Sequence, residues 1–196
     1  MSSQLISLIL FSTVASLTPG PNNIMTSYTA FNFGLRKTIP TMLGVIAGWT
    51  ILVIILLIGS SLAFQQFEEL QDVIKVLGSI YLFYIAYKIS FFKIKNKENS
   101  PKPVTFTNTF FFQFVNPKSI IIALTAISMF VDIQNNFLTD SLILTVVFFI
   151  MAVGSQVTWC LLGKYLRNFA TSKQFIQNFN YTMSFLLIVC VIMFYV

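Results

Sequence analysis

The sequence predicts an all-α, polytopic membrane protein. We expect six transmembrane helices arranged as two inverted three-helix repeats, with helices 1 and 4 broken. Three observations predict this. First, of 196 residues 56% are hydrophobic and 9% charged, where a soluble domain carries about 25% charged residues, so a water-facing surface could not be covered. The mean hydropathy of +0.81 agrees, and together these values exclude an ordinary cytosolic globule, a disordered chain and a nucleic-acid-binding domain. Second, apolar sequence falls into six runs, at 4–33, 38–63, 70–92, 106–131, 138–162 and 179–196, on the scale of the roughly 20 residues that a spanning helix needs. Third, a proline-centred interruption lies inside both the first and the fourth run.

The first run reads as a retained span. A secretory signal would start with basic residues and end at a small-residue cleavage site, but no Lys or Arg precedes Arg36 and apolar sequence resumes after the interruption. That interruption is TPGPNN, Thr18 to Asn23. Proline lacks the backbone donor and clashes with the preceding turn, so the helix breaks and restarts with Pro21 near its first position. The second run carries Gly44-Val-Ile-Ala-Gly48, a spacing that lets helices approach closely; helix packing is the expected role. On the third run Tyr81, Tyr84 and Lys88 share one face, as interface anchors do. The hydrophilic linker at 93–105 divides the chain into a first repeat, 1–92, and a second, 106–196. The fourth run breaks at Asn116-Pro117-Lys118. The fifth carries a polar island, Gly154, Ser155 and Gln156. The sixth is short and reaches the last residue.

Loop charge sets the orientation. Arg36 and Lys37 follow run 1, and Glu68, Glu69 and Asp72 follow run 2. Lys93, Lys95, Lys97 and Lys102, against Glu98, follow run 3. Asp132 and Asp140 follow run 4, and Lys164, Arg167 and Lys173 follow run 5. Basic and acidic loops alternate at every crossing, and the formal net charge is +6. Lys and Arg concentrate on the cytoplasmic side, so both termini are expected outside. Three spans per half then make the halves enter from opposite sides, the geometry of an inverted repeat.

Depth arithmetic brings the two breaks together. At about 1.5 Å per residue, Pro19 lies about 22 Å from Gln4 and Asn116 about 15 Å from Phe106; in a hydrocarbon core of about 30 Å both fall toward the middle. Paired broken helices in two halves point to a transporter binding site. Their chemistry suits a zwitterion. A restarted half-helix offers free N–H groups and a positive dipole end to a carboxylate, and Lys118 adds a full charge. Carbonyls freed near Leu17 and Thr18 can accept from an ammonium group, and Asn22, Asn23 and Asn116 can donate and accept. The candidate substrate-binding residues are therefore Thr18, Pro19, Gly20, Pro21, Asn22, Asn23, Asn116, Pro117, Lys118 and Gln156, with Gln156 read equally as a site wall or a helix–helix hydrogen bond. No catalytic residue, metal ligand or cofactor is expected. There is no histidine; Cys160 and Cys190 sit in apolar runs without a CxxC and read as packing residues. Asp132 and Asp140 read as solvated edge acids rather than a proton relay. A membrane thiol-redox relay would need paired thiols, and an inorganic-ion exporter would need acidic, imidazole or thiolate ligands; both stay as alternatives.

TPGPNN in the first run, GLRK after it, GSIYLFYIAYK in the third and FQFVNPK in the fourth resemble the LysE-type amino-acid exporters, in the threonine/homoserine-exporter branch. FVNPK, LTAISMFVD and WCLLGKYLRNF are most similar to the cysteine and O-acetylserine exporters of that branch. The resemblance spans nearly the whole chain. It implies a bacterial inner-membrane carrier, not an enzyme, that exports small neutral amino acids or derivatives against protons. It also implies that Pro19 to Asn23 and Asn116 to Lys118 organise the substrate path. The implied partners are a small zwitterionic amino acid, protons and membrane lipid, with a homo-oligomer left open and nucleic acid excluded. Two features depart from the family pattern. Gly48-Trp49-Thr50 stands where many members have histidine, and Ser128-Met129-Phe130 where many have Pro-x-Phe, so proton coupling lacks an obvious carrier.

Overall fold

The computed structural model describes residues 2–59, 68–90, 102–132, 134–170 and 172–192, with backbone alone for 2–3, 68–72, 74 and 75. The linker lysines Lys93, Lys95 and Lys97 and Glu98 lie outside the described residues, as does the end of run 6. Among the described residues all regular structure is helical. The helices are α1 (Ser2–Leu17), α2 (Pro21–Phe33), α3 (Leu35–Ile58), α4 (Glu68–Ser90), α5 (Phe106–Phe112), α6 (Pro117–Phe130), α7 (Phe137–Asn168) and α8 (Lys173–Ile192), with a 3-10 turn, Gln113–Val115, between α5 and α6.

Both expected breaks are present. α1 and α2 are bent by 53° at Thr18–Gly20, and α5 and α6 by 60° at Asn116. Each second half-helix begins with proline at its first position and has no side-chain cap. Proline suits that position, since its missing N–H would have been unsatisfied there anyway. Among the described residues, α3, α7 and α8 are each long and apolar enough to cross a membrane alone, and counting each bent pair as one span raises the total to five. α4 is 23 residues long, and Val76–Ser90, over which its side chains are described without a gap, is apolar.

Several boundaries differ from the sequence reading. Arg36 and Lys37 stand on the first turn of α3, not in a loop, because a single residue, Gly34, with φ 81°, turns the chain from α2 into α3. That left-handed backbone favours glycine. α7 runs on to Asn168, so Lys164 and Arg167 ride on its last turns; Leu, Lys and Arg form helix readily, and nothing there stops it. Its 32 residues rise about 48 Å, so an end stands beyond the hydrocarbon. α8 starts at Lys173, earlier than the apolar run.

Two apolar clusters hold the bundle. One gathers Leu8 of α1, Trp49, Leu52 and Leu56 of α3, Ile120 and Ile127 of α6, and Leu144 and Phe148 of α7. The other gathers Ile24 and Tyr28 of α2, Leu82 and Ile89 of α4, Phe112 of α5, and Leu187 and Cys190 of α8. α3 packs closely on α5 through its glycine pair. A Cβ at Gly44 would collide with Thr109 Oγ1 and the Phe106 carbonyl, and one at Gly48 would lie 2.6 Å from the Phe110 carbonyl oxygen and 2.8 Å from Gln113 Cγ. The packing role read from GxxxG thus has a definite partner, the first half of the second broken helix. Tyr81, by contrast, is no interface anchor. It stacks on Phe112 at 4.8 Å and donates to the Asn108 carbonyl at 3.1 Å, whereas exposed Tyr84 lies under Lys88 Nζ.

Candidate functional site

The two breaks meet. Asn22, on the first turn of α2, and Gln113, just before the second break, exchange both amide hydrogen bonds, each 2.9 Å long. Gln113 also donates to the Thr109 carbonyl and accepts from Ser119 Oγ. Asn116 Nδ2 donates to Ser119 Oγ at 2.9 Å. Asn23 closes the other side. Its Nδ2 donates to the carbonyls of Ser16 and Thr18, which the break leaves without helical partners. Its Oδ1 accepts from Gln156 Nε2 at 3.0 Å and Ser155 Oγ at 3.3 Å. Gln156 Oε1 accepts from Thr26 Oγ1, and Ser155 Oγ also donates to the Ser16 carbonyl. The polar island of α7 therefore ties that helix to the first break, and Gln156 both bonds across to α2 and lines the cavity.

Between these networks lies a cavity of about 60 Å³. A single water needs roughly 10–15 Å³ on such a measure, so several waters or one small solute fit. Gly20, Pro21, Asn22 and Asn23 line it from the first break, Asn116, Lys118 and Ser119 from the second, Trp49 from α3, and Phe148, Ser155 and Gln156 from α7. Of the candidates, Thr18, Pro19 and Pro117 do not line it. Thr18 and Pro19 act through their carbonyls, which accept from Lys118 Nζ at 2.9 and 3.4 Å. The ammonium of Lys118 thus sits on the carbonyls expected to receive a ligand's ammonium. Its side chain passes over Gly20, where an added Cβ would lie 2.9 Å from Nζ.

Electrostatically the cavity is two-sided. Two uncapped half-helix N-termini reach its wall, each presenting backbone N–H groups and a positive dipole end. Opposite in character is Asn116 Oδ1, a buried acceptor with no hydrogen-bond partner; Asn116 is 1% exposed. A buried acceptor left unpaired costs about 1–3 kcal/mol, which a ligand donor would recover. Sequence reasoning missed Gln113, Ser119, Ser16 and Trp49. Gln113 had a signal: it is a lone amide inside the phenylalanine run FFFQF.

The remaining polar candidates lie elsewhere. Asp132 and Asp140 close the α6–α7 turn. Asp132 accepts from the Gln134 and Asn135 backbone and from Asn135 Nδ2, and Asp140 Oδ2 accepts from the Asp132 N–H at 3.0 Å. The bonds from Asn135 and Gln134 hold the Asp132 carboxyl below its ordinary range. Cys160 and Cys190 are buried free thiols on α7 and α8, and neither lines the cavity. Among the described residues no three His, Cys, Asp or Glu side chains converge as metal ligands would.

Comparison with known proteins agrees with the resemblance. A cysteine/O-acetylserine efflux protein of Salmonella typhi is 28% identical over 185 residues, covering 93% of this chain and 92% of that protein. The cysteine/O-acetylserine efflux protein of Escherichia coli is 27% identical over 183 residues, with the same coverage. No solved structure matches. The LysE type translocator model matches residues 13–196, a stretch that takes in both breaks and all the cavity residues: this chain belongs to the LysE family of amino-acid translocators.

Proposed function

We propose that this protein exports small neutral amino acids or their derivatives, of the cysteine and O-acetylserine kind, by alternating access driven by the proton-motive force. The observation that carries this reading is the cavity at the junction of the two breaks. It joins two helix N-termini suited to a carboxylate with an unpartnered buried acceptor, Asn116 Oδ1, suited to an ammonium group. In this reading the carboxylate rests on the free N–H groups at the start of α2 and α6. Trp49 and Phe148 form the apolar wall against the side chain. Asn22, Asn23 and Gln156 hold the breaks in register, and Thr18 to Gly20 supply carbonyls and room. The relatives are named for cysteine and O-acetylserine efflux, which supports the substrate class.

The helix contacts support two inverted repeats. α2 packs on α7 as α6 packs on α3; α1 on α7 as α5 on α3; and α2 on α8 as α6 on α4. Exchanging the halves maps these three pairs of contacts onto one another, with α4 as the counterpart of α8, and halves so paired can rock about the cavity. Charge placement supports a bacterial inner membrane with both termini outside. Arg167 lies over the Phe31 ring at 5.6 Å, which sets the basic end of α7 beside Arg36 and Lys37. Thr41 Oγ1 donates to the Val104 carbonyl, which brings Lys102 to that end as well.

The test is transport in proteoliposomes under an imposed pH gradient, with labelled cysteine, O-acetylserine, threonine and lysine. Gradient-stimulated movement of one or more neutral amino acids, with lysine excluded, is the expected result. No movement of any of them by folded protein would overturn the reading.

A further inference from the structure

Among the described residues, Lys118 is the one ionisable side chain on the cavity wall, and its ammonium occupies the carbonyls of the first break. Nζ donates to the Thr18 carbonyl at 2.9 Å and to the Pro19 carbonyl at 3.4 Å, across 100 and 99 residues of sequence. The site is shaped around it. Gly20 is extended, at φ −164° and ψ 175°, a backbone open to any residue, so glycine there is explained by space: a Cβ would crowd Lys118 Nζ and Cδ. Beside this occupied cradle the buried Asn116 Oδ1 stays empty-handed. Three acceptors thus stand at the junction, two on Lys118 Nζ and one, Asn116 Oδ1, without a partner, and the break offers only one carbonyl pair.

We propose that the carbonyl cradle of the first break holds in alternation the Lys118 ammonium and the ammonium of the exported amino acid, so that Lys118 gives up one proton for each substrate bound. This rests on the exporter reading and deepens it by naming the residue that ties export to proton entry. Two ammonium groups at contact distance repel, and the like charge favours the neutral form of the weaker-held one. Displaced from its carbonyls, Lys118 breaks one Nζ–H bond. The proton passes to water at the cytoplasmic mouth, and the nitrogen keeps the electron pair as a neutral amine. After release of the substrate on the other side, Nζ takes a proton from water there and returns to the cradle. Nothing is oxidised or reduced. One proton enters for each zwitterion expelled, so each cycle carries one positive charge inward.

The surroundings leave the role to Lys118. From α8, the Cys190 thiol is the titratable group within electrostatic reach of it. The parts of α1, α2, α3 and α7 that line the cavity bring no ionisable side chain. Tyr28 of α2 lies in the apolar cluster with α4 and α8. On α4, Tyr81 is bonded to the Asn108 carbonyl and Lys88 sits over Tyr84.

The experiment is equilibrium binding of labelled cysteine and of labelled O-acetylserine to the purified full-length protein in detergent, between about pH 5.5 and about pH 7.5, where the substrate amine stays protonated and its carboxyl ionised. In the wild type affinity should rise about tenfold per pH unit, the slope that linkage requires for one proton released per ligand bound. Lys118→Met should flatten that slope and tighten binding at the acid end several-fold, because nothing then competes for the carbonyls. Measurable wild-type binding with the same affinity across the range would overturn the alternation and leave the exporter reading standing, since Lys118 would then merely cap the broken helix. A slope that persists in folded Lys118→Met would overturn it too. If neither amino acid binds at any pH, the exporter reading itself fails. Should Lys118→Met not fold, the wild-type slope alone decides.

Discussion

The amides of Asn22 and Gln113 are bonded to each other twice, donor to acceptor in both directions at 2.9 Å, across 91 residues of sequence. This pair is the side-chain-to-side-chain clasp between the two breaks among the described residues. Gln113 is fully buried, so replacing only one partner strands the other's amide. Asn22→Leu and Gln113→Leu should each lower stability by about 1–3 kcal/mol, and the double variant should cost clearly less than their sum. Unfolding in detergent micelles measures the cycle; strict additivity would show that the clasp is not an energetic unit.

Gly48 and Gly154 make opposite predictions on neighbouring helices. A Cβ at Gly48 meets the Phe110 backbone, which cannot swing aside, while one at Gly154 meets nothing within 4 Å. Gly48→Ala should destabilise by about 1–3 kcal/mol through overpacking. Gly154→Ala should be neutral or stabilise by up to about 1 kcal/mol through helix propensity. Melting curves of the two purified variants compare them directly.

Gly20→Ala tests the cradle without removing a polar group. The backbone tolerates alanine, and the atoms it would meet are the far end of a flexible side chain. The melting temperature should hold, while the substrate concentration for half-maximal transport should rise about tenfold, equal to about 1.4 kcal/mol of lost binding. A fallen melting temperature with normal half-saturation would contradict this account of the residue.

Asp132 supplies a control on pH. Its carboxyl is held below the ordinary range by bonds from Asn135 and Gln134. A depressed folded-state value means that the turn gains stability above the unfolded value, about 3.9, and loses it as pH falls through the folded one. Asp132 thus stays ionised across the neutral range. Asp132→Asn should leave the pH dependence of substrate binding unchanged near neutrality, while the acid-side loss of stability of the turn should disappear. Binding measured against pH, and unfolding measured between about pH 2 and about pH 5, separate the two effects.

Much of this was legible in the sequence because proline and membrane thickness leave few choices. TPGPNN and Asn116-Pro117-Lys118 each had to break a helix, and counting residues from each end put both breaks toward the middle of the membrane. Which side chains would clasp across them was not legible, since that depends on helix rotation; Gln113 and Ser119 therefore went unread, and Lys118 was expected to face a carboxylate although it rests on carbonyls. Boundaries were misjudged where charge was equated with loop. Arg36, Lys37, Lys164 and Arg167 are good helix formers at helix ends, where long side chains can reach the interface. Tyr81 was misplaced for a related reason: its position on the face is right, but its hydroxyl finds the Asn108 carbonyl inside the bundle.

The most direct test of the central claim, that the junction of the two breaks is the substrate site, is gradient-driven transport of labelled cysteine and O-acetylserine by wild type, Asn116→Ala and Pro21→Ala in the same proteoliposomes. The account predicts movement by the wild type and none by either variant, with both inserted and folded. Normal transport by both variants would contradict it.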